Sequence, residues 1–187
     1  MKNSSLVLMM VSIFLLAFSS GSKLQSVKSH ISFYSHTPLE DIKADNYTAI
    51  STFDTESGAV IFSVPMQGFM FEKALMQKHF NSANFLDTKA FPKAKFKGNV
   101  VQIEKVDLKK DGVYPVTVAG ELTLKEVTKP VTTMGELKVK AGQLSVSAKF
   151  PITLADYGIV FEKGKPASNI AKTVEVEVHA SYDALKD

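Results

Sequence analysis

The chain of 187 residues contains no cysteine. That absence removes disulfides, thiolate metal sites and cysteine nucleophiles together, and with them any diacylglyceryl-cysteine anchor. A small domain without disulfides must be held together by its core. About 165 residues beyond the first twenty-one are enough for one domain with a sizeable core. No apolar run in that part approaches spanning length, so neither a transmembrane segment nor stable membrane insertion is expected. Blocks of like charge are lacking too. The formal charge is only +3, and lysines alternate with acids along the sequence, a pattern that fits wet strand faces better than a nucleic-acid or membrane patch. The most basic stretch is Lys89 to Lys97, in which a strand would place Lys93, Lys95 and Lys97 together on its solvent face. No nucleic-acid partner is expected. Nucleophile elbows, phosphate loops, dinucleotide fingerprints and zinc-protease motifs are all missing as well.

What the amino terminus does have is an export signature. Lys2 precedes an apolar run from Leu6 to Phe18 broken only by Ser12, and Ala17-Phe18-Ser19 and Ser20-Gly21-Ser22 follow. As a helix that run measures about 20 Å, short of the hydrocarbon thickness of about 30 Å. The small residues after it suit cleavage behind Ser19 or Gly21. Residues 1–21 are therefore expected to be a cleaved signal peptide that delivers a periplasmic or secreted domain of residues 22–187, the alternative being an uncleaved signal anchor. Loss of Lys2 would reduce the net charge from +3 to +2.

Period-two alternation dominates the rest. Val116, Val118, Gly120, Leu122 and Leu124 share one face of a strand, as do Leu144, Val146, Ala148, Phe150 and Ile152, and again Val174, Val176, Val178, Ala180 and Tyr182. One apolar and one wet face mark antiparallel sheet. Asp111-Gly112, Ala141-Gly142 and Glu56-Ser57-Gly58 supply turns. The expected strands are 26–36, 46–54, 57–65, 93–106, 112–125, 129–140, 142–153 and 172–182, eight in all. Strands this long must cover their apolar face, and closing the sheet into a barrel does so while removing edges; a sandwich also satisfies the pattern. Glu72 to Phe80 breaks the alternation, placing Leu75, Met76, His79 and Phe80 at helical spacing. Two irregular stretches, Asn81 to Pro92 and Ala155 to Ala167, complete the chain.

Polar groups offer little for catalysis. His30 and His36 share a strand face with Lys28, Ser32 and Tyr34, and His179 stands among Glu175, Glu177 and Ser181. Each reads either as a solvated side chain or as part of a surface metal site, the solvated reading fitting better. Carboxylate pairs such as Glu175 with Glu177 fall on wet faces, where a raised pKa is not expected. Asp156 and Tyr157 have no recognisable general-base partner. Asn46-Tyr47-Thr48 matches a glycosylation acceptor, a short pattern of little weight. No catalytic residue, metal site or cofactor is expected, and the chain does not read as an enzyme. The informative cluster is apolar: Met66, Phe69, Met70, Phe71, Leu75, Met76, Phe80 and Phe85 crowd into twenty residues. Such a set makes a deformable ligand lining or an ordinary core plugging one end of a barrel, and a barrel of eight strands is near the size where either outcome is found.

Several segments resemble the YceI-like family. His79-Phe80-Asn81-Ser82-Ala83-Asn84-Phe85-Leu86-Asp87-Thr88-Lys89-Ala90-Phe91-Pro92-Lys93-Ala94-Lys95-Phe96 is similar to the family's helix-to-strand passage. Gly120-Glu121-Leu122-Thr123-Leu124 through Thr128-Lys129-Pro130-Val131, then Phe150-Pro151-Ile152-Thr153, the closing strand from Thr173 and the opening Ser29-His30-Ile31-Ser32-Phe33 follow in order. Asn84, Phe91 and Glu126 depart from the family's usual aspartate, tyrosine and glycine. The resemblance implies an all-β, eight-stranded antiparallel, lipocalin-like extended barrel with one short helix. It further implies a periplasmic carrier of a polyisoprenoid or other long-chain, fatty amphiphile, with no catalytic residues, and leaves a homodimer open. The inward positions that would line its pocket are Phe33, Phe69, Phe71, Leu75, Met76, Phe85, Phe96, Val118, Leu122, Val146 and Phe150, with Tyr157, Lys163 or Lys165 meeting a polar head at the rim. A structural or stress-related module with a filled barrel and no ligand is the alternative.

Overall fold

The computed structural model describes residues 22–160 and 168–183. The expected signal peptide, and Lys163 and Lys165 in the second irregular stretch, lie outside the described residues. Ten strands form one antiparallel sheet: β1 (Lys23–His36), β2 (Asp41–Asn46), β3 (Ile50–Asp54), β4 (Ala59–Pro65), β5 (Phe69–Phe71), β6 (Lys93–Val100), β7 (Gly112–Leu124), β8 (Val127–Lys140), β9 (Gln143–Thr153) and β10 (Thr173–Tyr182). The α-helix α1 (Ala74–Asn81) follows β5.

These ten strands make a barrel of eight. β1 pairs along one edge with β10, from Ser26↔Tyr182 to Tyr34↔Glu175. Its other edge is shared between β3 at Lys23–Gln25 and β2 at Ile31–His36. Thus β2 and β3 are one wall strand broken at residues 47–49. β4 and β5, paired with β3 and β2 respectively, are the next, broken by a 3₁₀ turn at Met66–Gly68. The ladder then runs from β4 through β6, β7, β8 and β9 to β10, which closes on β1. The expectation of 46–54 as one strand is corrected accordingly: pairing starts at Asp41 and stops at Asn46. The strand expected over 93–106 ends at Val100, because Gln102 turns left-handed (φ 58°) into a 3₁₀ turn at Ile103–Lys105. The helix begins two residues later than its spacing suggested, and β5 was not anticipated.

A buried polar side chain fixes the double break. Asn46 is fully buried; its Nδ2 donates to Pro65 O at 2.8 Å, and its Oδ1 accepts from Thr48 N at 2.8 Å and Thr48 Oγ1 at 2.9 Å. Its amide replaces the backbone bonds that both wall strands give up at the bend. A glycan at Asn46 is incompatible with this burial, so the acceptor pattern there is structural. Gly68 completes the corner, since a Cβ at that position would lie 2.1 Å from Thr48 Oγ1.

The alternation read from sequence is the barrel's inside and outside. Lys93, Lys95 and Lys97 are exposed while Ala94 and Val100 on the same strand are buried. Outside, His30 Nε2 meets Asp45 Oδ1 at 2.7 Å and stacks on Tyr47 at 4.6 Å, and His36 Nδ1 meets Asp41 Oδ1 at 2.6 Å.

Candidate functional site

The interior is filled at one end and hollow at the other. Around the ends of β3, β8 and β10 and the start of β9, Phe53, Leu137, Val139, Leu144 and Tyr182 are each at most 2 % exposed. The Tyr182 hydroxyl lies 2.6 Å from Ser51 Oγ, and burial pushes its pKa up to about 12. This packed floor closes the barrel. None of these side chains reaches the cavity above it.

That cavity encloses about 710 Å³. Its wall is built from the inward positions of the strands: Ile31 and Phe33 from β1, Phe62 and Val64 from β4, Phe96 from β6, Val118, Leu122 and Leu124 from β7, Val131 from β8, Val146 and Phe150 from β9, and Val176 and Val178 from β10. All eleven residues expected at the pocket stand on this lining. They differ in depth: Phe69 and Leu122 are buried, whereas Leu75 on α1 is 62 % exposed at the rim. Phe96 makes room in a specific way. Gly98 and Gly120 face each other across β6 and β7, and a Cβ on them would come within 2.6 Å and 2.8 Å of Phe96 Cζ. The ring therefore lies along the wall over two missing side chains.

The open end is capped by α1 through an aromatic cluster that the sequence reading left incomplete. Phe80, absent from the expected lining, is buried at its centre. Its ring centroid lies 5.0 Å from Phe71, 5.5 Å from Phe69, 5.8 Å from Phe33 and 6.0 Å from Phe85. Offset and edge-on contacts at such distances each add about 1 kcal/mol beyond area burial. Gln77 secures the helix to β5: its Nε2 donates to Phe69 O at 2.6 Å and its Oε1 accepts from Phe71 N at 3.3 Å. The edge of β5 away from β2 thus finds its partners in one side-chain amide.

Polar links tie the rim. Glu40 Oε1 accepts from Lys73 Nζ at 3.1 Å and Oε2 from Asn169 Nδ2 at 2.9 Å, joining the β1–β2 turn, the approach to α1 and the approach to β10. Asn169 first and Lys73 second hold the Glu40 carboxyl below its ordinary range. Lys125 Nζ donates to Phe85 O at 2.9 Å, and Ala171 N to Ser35 Oγ at 2.9 Å. Glu40, Lys73 and Asn169 line the cavity mouth. Tyr157, expected at the rim, does not; it is buried in a 3₁₀ turn at Leu154–Tyr157, where burial and the Asp156 charge raise its pKa. The 3₁₀ turn that follows β9 carries its ring into the core and away from the rim.

Comparison with known proteins agrees with this architecture. The chain is 36% identical over 107 residues to a UPF0312 protein of Pseudomonas putida, covering 54% of this chain and 50% of that protein. It is 32% identical over 106 residues to Protein YceI of Escherichia coli, covering 54% and 51%. The aligned part spans about half the length of these curated relatives. Among solved structures, a polyisoprenoid binding domain from Saccharophagus degradans superposes with a TM-score of 0.73 at 16% identity, covering 88% of this chain and 99% of that one. Burkholderia cenocepacia BcnA superposes with a TM-score of 0.66 at 16% identity, covering 82% and 95%. At such identities the likeness shows the fold. The family model for the YceI-like domain matches residues 23–182, essentially the whole barrel from the first residue of β1 to the last of β10, and the chain belongs to that family.

Proposed function

We propose that this protein is an exported, non-enzymatic carrier that sequesters a polyisoprenoid or other long-chain amphiphile inside the barrel. The observation that carries the reading is the one-ended apolar cavity of about 710 Å³, walled by aliphatic and phenylalanine side chains and floored by a packed core. Volumes of 300–1,000 Å³ are usual for small-molecule sites. The polyisoprenoid-binding description of the Saccharophagus degradans domain supports the ligand class. Burying ten methylenes is worth about 8 kcal/mol before ordering costs, and those costs leave affinities near micromolar for short chains. The polar groups at the mouth, Glu40, Lys73 and Asn169, already bond to one another, which suits holding a rim closed better than activating a nucleophile. Export rests on the leader expected over residues 1–21, and the periplasm or the exterior is where the carrier would work.

Native mass spectrometry with lipid extraction, on protein purified from a bacterial periplasm, tests the reading. A prenyl or acyl species bound one-to-one supports it. A protein that stays unliganded when octaprenyl and acyl compounds are added sinks it. Phe71→Asp and Met76→Asp each place a carboxylate on the lining and are expected to abolish most binding.

A further inference from the structure

The barrel wall is incomplete between β8 and β9. Their ladder runs from Lys140↔Gln143 only as far as Gly135↔Ala148. Beyond that rung β8 continues on β7 back to Val127, and β9 continues on β10 to Thr153, with no rung between them. At the edge of the last rung, Thr133 Oγ1 stands 3.1 Å from Met134 O and 3.2 Å from Lys149 O, a side-chain hydroxyl where the backbone ladder would continue.

Two prolines hold the strands apart. Pro130 lies opposite Glu121 on β7, and Pro151 opposite Glu175 on β10. A hydrogen-bonded antiparallel pair exchanges two N–H donors, which proline lacks. Both must therefore be non-hydrogen-bonded pairs, with nitrogen and carbonyl turned away from β7 and β10 and toward the gap. Pro65 obeys the same rule: opposite Lys93 on β6, it aims its carbonyl the other way, onto Asn46 Nδ2. Each margin of the gap thus carries a residue that cannot donate across it. For the same reason an added β-strand is a poor occupant. The gap opens onto the cavity, because Val131 and Thr133 on one margin and Phe150 and Ile152 on the other are cavity-lining residues. Beyond the Thr133 bond, the β9 edge from Phe150 to Thr153 makes no ladder pair with β8 over about 14 Å, and the 3₁₀ turn at Leu154–Tyr157 packs against β8 at its far end.

We propose that this gap is a lateral portal through which the hydrocarbon chain of the amphiphile enters and leaves the cavity. It rests on the carrier reading above and adds the route. The end of the barrel is a poor route by comparison, since α1 seals it with five phenylalanines and the Glu40, Lys73 and Asn169 side chains tie it across. A side opening admits a flexible chain of any length sideways, with the rim left tied.

The absence of native cysteine makes the test clean. Thr132→Cys with Pro151→Cys places two exposed thiols on opposite margins, neither of them on the cavity lining. Transfer of cis-parinaric acid from the loaded full-length domain to phosphatidylcholine vesicles is followed by fluorescence, oxidised against reduced, with the disulfide verified by mass. The oxidised form is expected to transfer about tenfold more slowly, with on- and off-rates falling together so that affinity is preserved. Pro130→Val with Pro151→Val restores both donors, lets the ladder extend and is expected to slow transfer as well; should the cysteine pair fail to fold or oxidise, this pair decides. Equal rates in oxidised and reduced protein, or an unchanged rate in the valine pair, overturn the portal while leaving the carrier intact. An unaltered protein that takes up neither parinaric acid nor octaprenyl compounds overturns the carrier and the portal together.

Discussion

Consider truncating leucine to alanine at two heights of the same barrel. Leu137 is fully buried in the floor, whereas Leu124 is half-buried with its side chain on the cavity wall. Removing the Leu137 side chain abandons its transfer free energy and opens a new void in the packed floor, a combination that costs about 3–4 kcal/mol. Removing Leu124 only enlarges a space that already exists, and its methyls are partly in contact with solvent, so the loss is about 1 kcal/mol. With a urea slope of about 2 kcal/mol per molar, the midpoint falls by about 1.5–2 M for Leu137→Ala and about 0.5 M for Leu124→Ala. Equilibrium urea unfolding followed by circular dichroism reads both, provided the slope itself is unchanged. Lipid uptake is expected to sort the other way, intact in Leu137→Ala and weakened in Leu124→Ala. Equal midpoint shifts would refute the division of the interior, because they would mean that the upper half is as tightly filled as the floor.

Three further outcomes follow from the geometry. Lys125 and Glu126 both take left-handed backbone angles (φ 51° and 65°) in the β7–β8 turn, so Glu126→Gly relieves strain and is expected to raise stability by about 1 kcal/mol in the same urea assay. Tyr182 ionises near pH 10 when unfolded and at about 12 in the barrel; its raised value means full stability below pH 10 and progressive loss above it, about 2 kcal/mol by pH 12, a loss that unfolding curves of Tyr182→Phe would not show over that window. Glu40 has the opposite sign: its lowered pKa means that its pairing with Asn169 and Lys73 supports the fold above the ordinary carboxylate range and is lost as pH falls through its folded value, so Glu40→Gln is expected to flatten the acid limb of the stability profile.

The eight wall strands were legible because strict alternation survives in nearly every strand, and inward positions of β7, β9 and β10 could be named residue by residue; their closure into a barrel and not a sandwich came from the family resemblance. The boundary between floor and cavity could not. Leu137 and Val139 occupy the same face of β8 as Val131 and Thr133, and nothing in a period of two says which of them meet packed neighbours. Nor is a side-chain amide that finishes a sheet edge periodic, so Asn46 read as a strand residue and Gln77 as one more turn of helix. Phe80 was visible in the apolar cluster, yet its central place depends on α1 folding back over β5. Pro130 and Pro151 were read as parts of the family motifs and not for what they do to a strand edge. Proline within an alternating segment signals a strand margin that makes no ladder bond, and both stand in segments that otherwise look like continuous wall.

The packed floor has a consequence for what the barrel can measure. A tube open at both ends would let a long chain slide through to any extent, and one prenyl length would be held like another. Here Phe53, Leu137, Leu144 and Tyr182 would stop an inserted chain at a fixed depth, so a barrel loaded as proposed would work as a gauge block. Chains shorter than the hollow leave apolar wall uncovered, and each added unit strengthens binding until the floor is reached. Longer chains gain nothing more inside and must run back out, and affinity plotted against chain length should rise and then level off at the depth that these four side chains set.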